Sequence, residues 1–218
     1  MSLTLRRELA SEYRQVEELT REAFWNHFQP GADEHYLTHV MRSHADYIPE
    51  LSLVAEMDGE LVGSIVYTKS KITRSNGEAV NTATFGPIAV SPTRQKQGIG
   101  RQLILRTARL ARDLGYAAIV IYGDPAYYGR VGFHSGERHD LRNEENHFAA
   151  ALQVLPLQHG VDLSGVFSES PVFASIDAEA LAEYETTFPA KEKVEGNESQ
   201  LRFLVLRTLS WPATEMEL

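Results

Sequence analysis

Residues 86–104 read GPIAVSPTRQKQGIGRQLI. A short apolar strand runs straight into a loop dense in Gln, Lys, Arg and Gly, and then at once into a helix. Glycine at Gly98 and Gly100 costs helix stability, so this corner needs bare backbone rather than side chains. Such a corner is an anion site. The free N–H groups of a first helical turn point outward, the helix dipole favours negative charge there, and glycines let a bulky anion come close.

The rest of the chain builds a layered frame around that corner. Leu3–Arg7 alternates like an edge strand, and Ser11 opens a helix with Tyr13, Val16, Leu19 or Thr20, Ala23 and Phe24 on one face. Gln29-Pro30-Gly31 breaks that helix, and Ala32–Ser43 reads as a second one. Leu51–Glu56 and Leu61–Thr68 are strands joined through Asp58-Gly59, a hairpin signal, and Ser75-Asn76-Gly77 turns into the long β-prone run Ala79–Val90. Beyond Pro92, residues Ile99, Leu103, Thr107, Leu110 and Leu114 recur at helical spacing, with Gly115 at the C-cap. Ala117–Tyr122 reads as a buried strand, and Asp124-Pro125 as the N-cap and first residue of a short helix. Closing strands are expected from Phe133 onward and over Phe148–Leu157. A helix is expected over Asp177–Tyr184, an exposed loop over Ala190–Gln200, and a terminal strand over Leu201–Leu209. The fold class is α/β (α+β), a mostly antiparallel mixed sheet flanked by helices.

Composition narrows the partners. Thirty acidic against 21 basic side chains, a formal charge of −9, disfavour a nucleic-acid ligand, because the basic residues cluster only around Arg94–Arg101 and Arg106–Arg112. No apolar run approaches the roughly 18 residues of a membrane span. The basic pair near the N-terminus has no apolar block after it, so a cytoplasmic location is expected. Zero cysteines exclude disulfides, thiolate metal sites and a cysteinyl acyl-enzyme within this sequence.

Three known solutions can be tested on the corner. The nucleotide P-loop pattern is absent. The dinucleotide fingerprint needs a third glycine where Leu103 stands, and the preceding strands form no βαβ unit. The pattern [Gln/Arg]-x-x-Gly-x-[Gly/Ala] is matched by Gln95, Gly98 and Gly100. With the strand Ile88-Ala89-Val90 before it, Pro92 two residues on, and Tyr128-Gly129-Arg130-Val131-Gly132-Phe133 about thirty residues downstream, the chain resembles the GNAT superfamily of acetyl-CoA-dependent N-acetyltransferases. The longer run GDPAYYGRVGF resembles its YhbS-like bacterial branch. The resemblance covers roughly residues 3–157, so a GNAT domain over 1–157 and a C-terminal extension over 158–218, packed on it or extending it, are expected.

That resemblance implies a diphosphate held on the backbone of Gln95, Lys96, Gln97, Gly98, Ile99, Gly100 and Arg101, with Lys96 and Arg101 adding charge at the rim. It implies a pantetheine arm paired along Ile88, Ala89 and Val90, which requires that strand to splay from Ile119–Tyr122. Tyr128 is the implied general acid toward the thiolate, while its neighbour Tyr127 points elsewhere. A backbone N–H near Val90 would stabilise the oxyanion. Many relatives carry a base carboxylate on the strand before the loop, but VNTATFGPI (80–88) has none. Glu22, Glu56, His27 and ordered water are left as alternatives.

Eight histidines raise a metal reading, and His35 and His39 have one-face helical spacing, but no third ligand is convincingly spaced and no metal is expected. The first two helices commonly wall the acceptor site in this family, which makes Phe24, Trp25, His27, His35 and Tyr36 candidates for substrate contact, or simply for packing. The expected activity is direct transfer of an acetyl group to an amine, most simply a small molecule, with acetyl-CoA as co-substrate and no membrane partner. A catalytically idle acetyl-CoA sensor is the alternative, and a homodimer is left open.

Overall fold

Asp58 and Gly59 both sit at positive φ, 53° and 85°, so the chain reverses between two apolar runs as a two-residue hairpin requires. The computed structural model describes residues 2–213. Its first half contains β1 (Leu3–Arg7), α1 (Tyr13–Phe24), α2 (Glu34–Met41), β2 (Leu53–Met57), β3 (Glu60–Thr73) and β4 (Ala79–Val90). Then follow α3 (Ile99–Asp113), β5 (Ala118–Tyr122), α4 (Pro125–Tyr128), β6 (His134–Ser135), β7 (Leu141–Arg142), β8 (His147–Ala149) and β9 (Leu152–Pro156). Last come β10 (Gly165–Ser168), α5 (Ala178–Glu185), α6 (Glu198–Thr208) and β11 (Ser210–Pro212).

The main sheet runs in the order β1-β2-β3-β4-β5-β9-β6, and β10 joins it along the free end of β3. Its pairs along β1 to β4 are antiparallel, as an Asp-Gly hairpin and a long meander dictate, whereas β4 and β5 are parallel because α3 crosses between them. Strand alternation sends Tyr67, Ala83, Phe85, Ile119 and Ile121 to one face, where α3 buries Ile99, Leu103 and Ile104 against them. The other face carries Val66 beneath Leu37 and Met41 of α2 and Val172. Each fully buried aliphatic side chain contributes roughly 1.5–3 kcal/mol.

Three sequence expectations are corrected. Leu114 is exposed, because the inward stripe of α3 turns toward Ile104, Ala108 and Ala111; Thr107 stays in it, its hydroxyl 2.7 Å from that of Tyr67. Gly115 caps the helix as expected, at φ 89°, with Tyr116 N–H donating to Ala111 C=O at 3.0 Å. The run 148–157 is two strands rather than one, interrupted at Ala150–Ala151, and β8 leaves the main sheet to pair with β11. Residues 201–209 form most of a helix, not a strand. Asn197 starts it by accepting from Gln200 N–H at 3.0 Å, and Gln200 reaches back to Gly196 N–H at 2.8 Å, so the loop expected over 190–200 ends at Asn197.

The segment after β10 straps the α1–α2 side. Trp25 Nε1–H donates to Glu192 C=O at 2.8 Å, Asn197 Nδ2 to Asn26 C=O at 2.7 Å, and Phe28 stacks on Phe203 at 4.4 Å. Lys191 pairs with Glu22 at 2.7 Å. Deeper in, Glu185 of α5 accepts from Arg21, whose side chain is 2 % exposed, through Nε at 3.0 Å and through Nη2. His35 Nε2 lies 3.0 Å from the same carboxylate but is poorly aligned to it, and burial lowers its pKa below the ordinary 6.5. The neutral ring therefore stabilises the fold above that pH, and its contribution is lost as the pH falls. His39 turns instead to Glu17 at 3.1 Å, so the two histidines serve different carboxylates.

Truncating Glu185 would leave a buried guanidinium unpaired. Glu185→Ala is expected to cost about 3 kcal/mol in urea denaturation at pH 7.5; a loss within experimental error would show that the strap is not held by this pair.

Candidate functional site

The corner between β4 and α3 is open backbone. Gly98 occupies the N-cap at φ 82°, a conformation only glycine adopts freely, and no side chain caps the helix. The first bond in the turn is Gln102 N–H to Gly98 C=O at 3.0 Å, which leaves the amides of Ile99, Gly100 and Arg101 outside the helical ladder. Residues 95–98 and Arg101 are exposed, Lys96 sits at φ 61°, and Gln95 is tied back to the strand through Nε2 to Val90 C=O at 3.2 Å. Ile99 is buried under α3, so of the predicted loop residues it can offer only its backbone.

Beside this corner the sheet forks. β4 and β5 share a single register pair, Ala83 with Ile119. Past that pair the edge of β4 that faces β5 has no strand partner among the described residues; Ile88 and Val90 turn ladder groups toward it, the Val90 C=O held by Gln95, while Ala89 bonds toward β3. The bulge that redirects β4 falls at Gly86 and Pro87, where the β3 register shifts between Ile65 and Tyr67.

Helix α4 closes the fork on the α3 face. Asp124 accepts from Ala126 N–H at 2.8 Å and Pro125 follows it, the cap the sequence implies. Tyr128 packs its ring on Phe85 (5.8 Å between centroids) and Phe133 (5.5 Å). Burial first, then Tyr127 and Asp124, raise its pKa, so the phenol stays protonated at neutral pH and keeps a proton to donate. Its ring fits because residue 123 is glycine; a Cβ there would overlap the ring edge. Tyr127 turns toward the start of α3. Its hydroxyl stands 3.0 Å from where a Gly100 Cβ would be, over the first turn of α3, so Gly100 keeps a cradle that any side chain would fill.

The base candidates are scattered. Glu56 lies on β2, two strands from β4, and pairs with Arg6 at 2.7 Å. Glu22 faces Lys191 in the strap, and His27 packs at a tilt against Phe28, 4.5 Å between centroids, its pKa lowered by burial. On the face opposite α3, Thr68 and Thr84 are register partners whose buried hydroxyls have no partner among the described residues. Of the carboxyl groups that sequence reading passed over, two are raised most. Burial, with Asp33 beside it, pushes Glu34 up to about 8; burial, with Glu144, pushes Glu169 up to about 7. Neither belongs to a motif, so no spacing signals them.

Residues 16–135, more than half of the chain, match the acetyltransferase (GNAT) family. The chain belongs to the GNAT family. It is 34% identical to the uncharacterized N-acetyltransferase YhbS of Escherichia coli over 119 residues, which is 54% of this chain and 68% of that one. The crystal structure of E. coli YhbS in complex with CoA superposes with a TM-score of 0.68 at 27% identity, covering 80% of this chain and 93% of that one. A GNAT acetyltransferase from Brucella melitensis in complex with acetyl-CoA gives 0.64 at 26% identity, over 79% and 98%. The mixed, mostly antiparallel sheet with its single β4–β5 fork is the fold of this GNAT chain. Among the described residues no helix is long and apolar enough to cross a membrane.

In this GNAT chain Gly123 makes the space for Tyr128. Gly123→Ala is expected to displace that ring, lower stability by about 1–3 kcal/mol and change the near-ultraviolet circular dichroism; an unchanged spectrum and midpoint would show that the ring has room to spare.

Proposed function

We propose that this chain binds acetyl-CoA and transfers its acetyl group directly to the amine of a small molecule. The observation that carries this is the open first turn of α3 standing next to an unpaired edge of β4. A diphosphate needs converging amides, and the Gly98–Arg101 turn presents them with Lys96 and Arg101 at its rim. An amide-rich arm needs a strand edge, and Ile88–Val90 presents one. Membership of a family in which YhbS of E. coli holds CoA, and the Brucella protein acetyl-CoA, supports the same ligand here.

When bound, acetyl-CoA supplies an acetyl thioester, and the chain's residues do the rest. Gln95–Arg101 bind the diphosphate end through backbone amides. The Val90 end of β4 offers a backbone N–H to the carbonyl oxygen as negative charge develops on it. Tyr128 holds a proton on its hydroxyl, its pKa raised by burial, and delivers it to the departing sulfur. With no cysteine in the sequence, attack by the amine itself in a ternary complex replaces a cysteinyl intermediate.

Tyr128→Phe is expected to lower kcat by roughly tenfold to a hundredfold in thiol-release assays with primary amines, with KM for acetyl-CoA unchanged. Unchanged turnover would remove Tyr128 from the mechanism; no thiol release from the intact chain with any amine would overturn the reading as an enzyme.

A further inference from the structure

The transfer reaction needs somewhere for the amine's proton to go, and the strand that commonly carries a carboxylate has only Asn81, Thr82 and Thr84 as polar side chains over 80–88. The fork itself points to the replacement. Three residues past the Ala83–Ile119 pair stand Gly86 on β4 and Tyr122 on β5, the two lips of the opening. Strand alternation turns both away from α3: Phe85 belongs to the α3-side core, whereas Gly86 lies under Phe173, whose ring carbon is 3.2 Å from where a Cβ would stand. Tyr122 packs on Phe167 at 5.9 Å. Phe167 and Phe173 thus seat one continuous stretch of chain on both lips. Its ends are anchored, by β10 pairing Ser168 with Lys71 on β3 and by Ser170 Oγ donating to Asp46 at 2.8 Å. Glu169 is the residue between those anchors.

We propose that Glu169 is the proton acceptor for the attacking amine, reaching the fork from the face opposite Tyr128. This rests on the acetyltransferase reading given above. The balance is direct: the amine nitrogen forms a bond to the acetyl carbon, the carbon–sulfur bond breaks, the nitrogen's proton passes to the Glu169 carboxylate, and Tyr128 protonates the sulfur. Acid and base stand on opposite faces of the sheet, so they do not neutralise one another. Glu34 and Glu8 are the other raised carboxyls, and both are engaged: Glu34 Oε2 accepts from Asp33 N–H at 3.2 Å in the first turn of α2, and Glu8 pairs with Arg42 at 2.6 Å.

Glu169 acts on Tyr122 of β5 and feels Glu144, between β7 and β8; Glu145 acts on Tyr122 as well, Lys71 on β3 is the register partner of the preceding Ser168, and His44 and Asp46 stand against the following Ser170. Glu144 raises the carboxyl of Glu169, and Glu169 in turn leads the acidic neighbours that raise Tyr122. Residue 169 is exposed, and partial desolvation of its carboxyl, with Glu144, pushes it up to about 7, where a carboxylate is an effective base at neutral pH. The acidic surroundings also favour an acceptor that arrives as an ammonium ion; it releases one proton to water before attack, and the second, from the neutral amine nitrogen, is the one Glu169 takes.

The test has two arms. In carbonyl-carbon NMR of the full chain labelled at glutamate, one side-chain carboxyl is expected to titrate near 7. That signal should vanish in Glu169→Gln and titrate lower in Glu144→Gln. In thiol-release assays with 1,4-diaminobutane, phenethylamine and lysine amide, kcat/KM should rise with a midpoint near 7. Glu169→Gln should lose that limb and on the order of 100-fold in rate, Glu169→Asp should keep part of both, and coenzyme A affinity by calorimetry should not change. A missing titration near 7, or a Glu169→Gln enzyme with the wild-type rate and limb, overturns the assignment alone. A wild-type chain that gives no heat with coenzyme A, or acetylates none of these amines, overturns the underlying reading and the assignment with it.

Discussion

A parallel pairing that lasts for one register position, Ala83 with Ile119, is the constraint around which this molecule is arranged. Two strands that stay paired leave no room for a ligand between them, and two that never pair leave no common core. Here the long meander of β2, β3 and β4 supplies the rigidity, the bulge at Gly86 and Pro87 turns β4 aside, and α3 returns the chain so that β5 meets β4 only at its root. The open amides of α3 follow from the same geometry, since the helix must begin where the strand stops, and Gly98 lets it begin without a capping side chain.

The two faces of the fork are built differently. Toward α3 the packing is aromatic and aliphatic, and Tyr128 is set into it by Phe85, Phe133 and the missing side chain at Gly123. Toward α1 and α2 the buried hydroxyls of Thr68 and Thr84 lie beside the apolar contact of Val66 with Leu37, Met41 and Val172, and the chain from β10 onward covers part of that face. The strap beyond residue 177 holds that side through buried ion pairs to Arg21 and through the carbonyl of Asn26, so the helices walling the fork are positioned by sequence far from the family motif.

Most of the frame was legible because its signals are local. Asp58-Gly59 demanded a hairpin, the change of period after Pro92 demanded a helix, and Asp124-Pro125 demanded the short turn that carries Tyr128. The C-terminal helix was not, because L-R-F-L-V-L-R alternates as a strand would; the deciding signal was the Asn197–Gln200 cap, three residues of local chemistry against nine of pattern. Glu169 and Glu34 were not legible for a different reason. Their chemistry comes from crowding and from like charges such as Glu144 and Asp33, which only the folded chain brings near. Tyr127 shows the same limit on a smaller scale: its place in α4 was readable, but its reach to Gly100 depends on how α4 docks on α3.

The central claim is that the first turn of α3 is a diphosphate site. Amide proton–nitrogen spectra of the labelled chain, recorded while coenzyme A is added, test it at single-residue resolution. The amides of Gly98, Ile99, Gly100 and Arg101 should move most, downfield in the proton dimension, as new acceptors meet them. If those amides stay in place at saturation while shifts gather elsewhere, the helix terminus is a bare structural corner and the account is wrong.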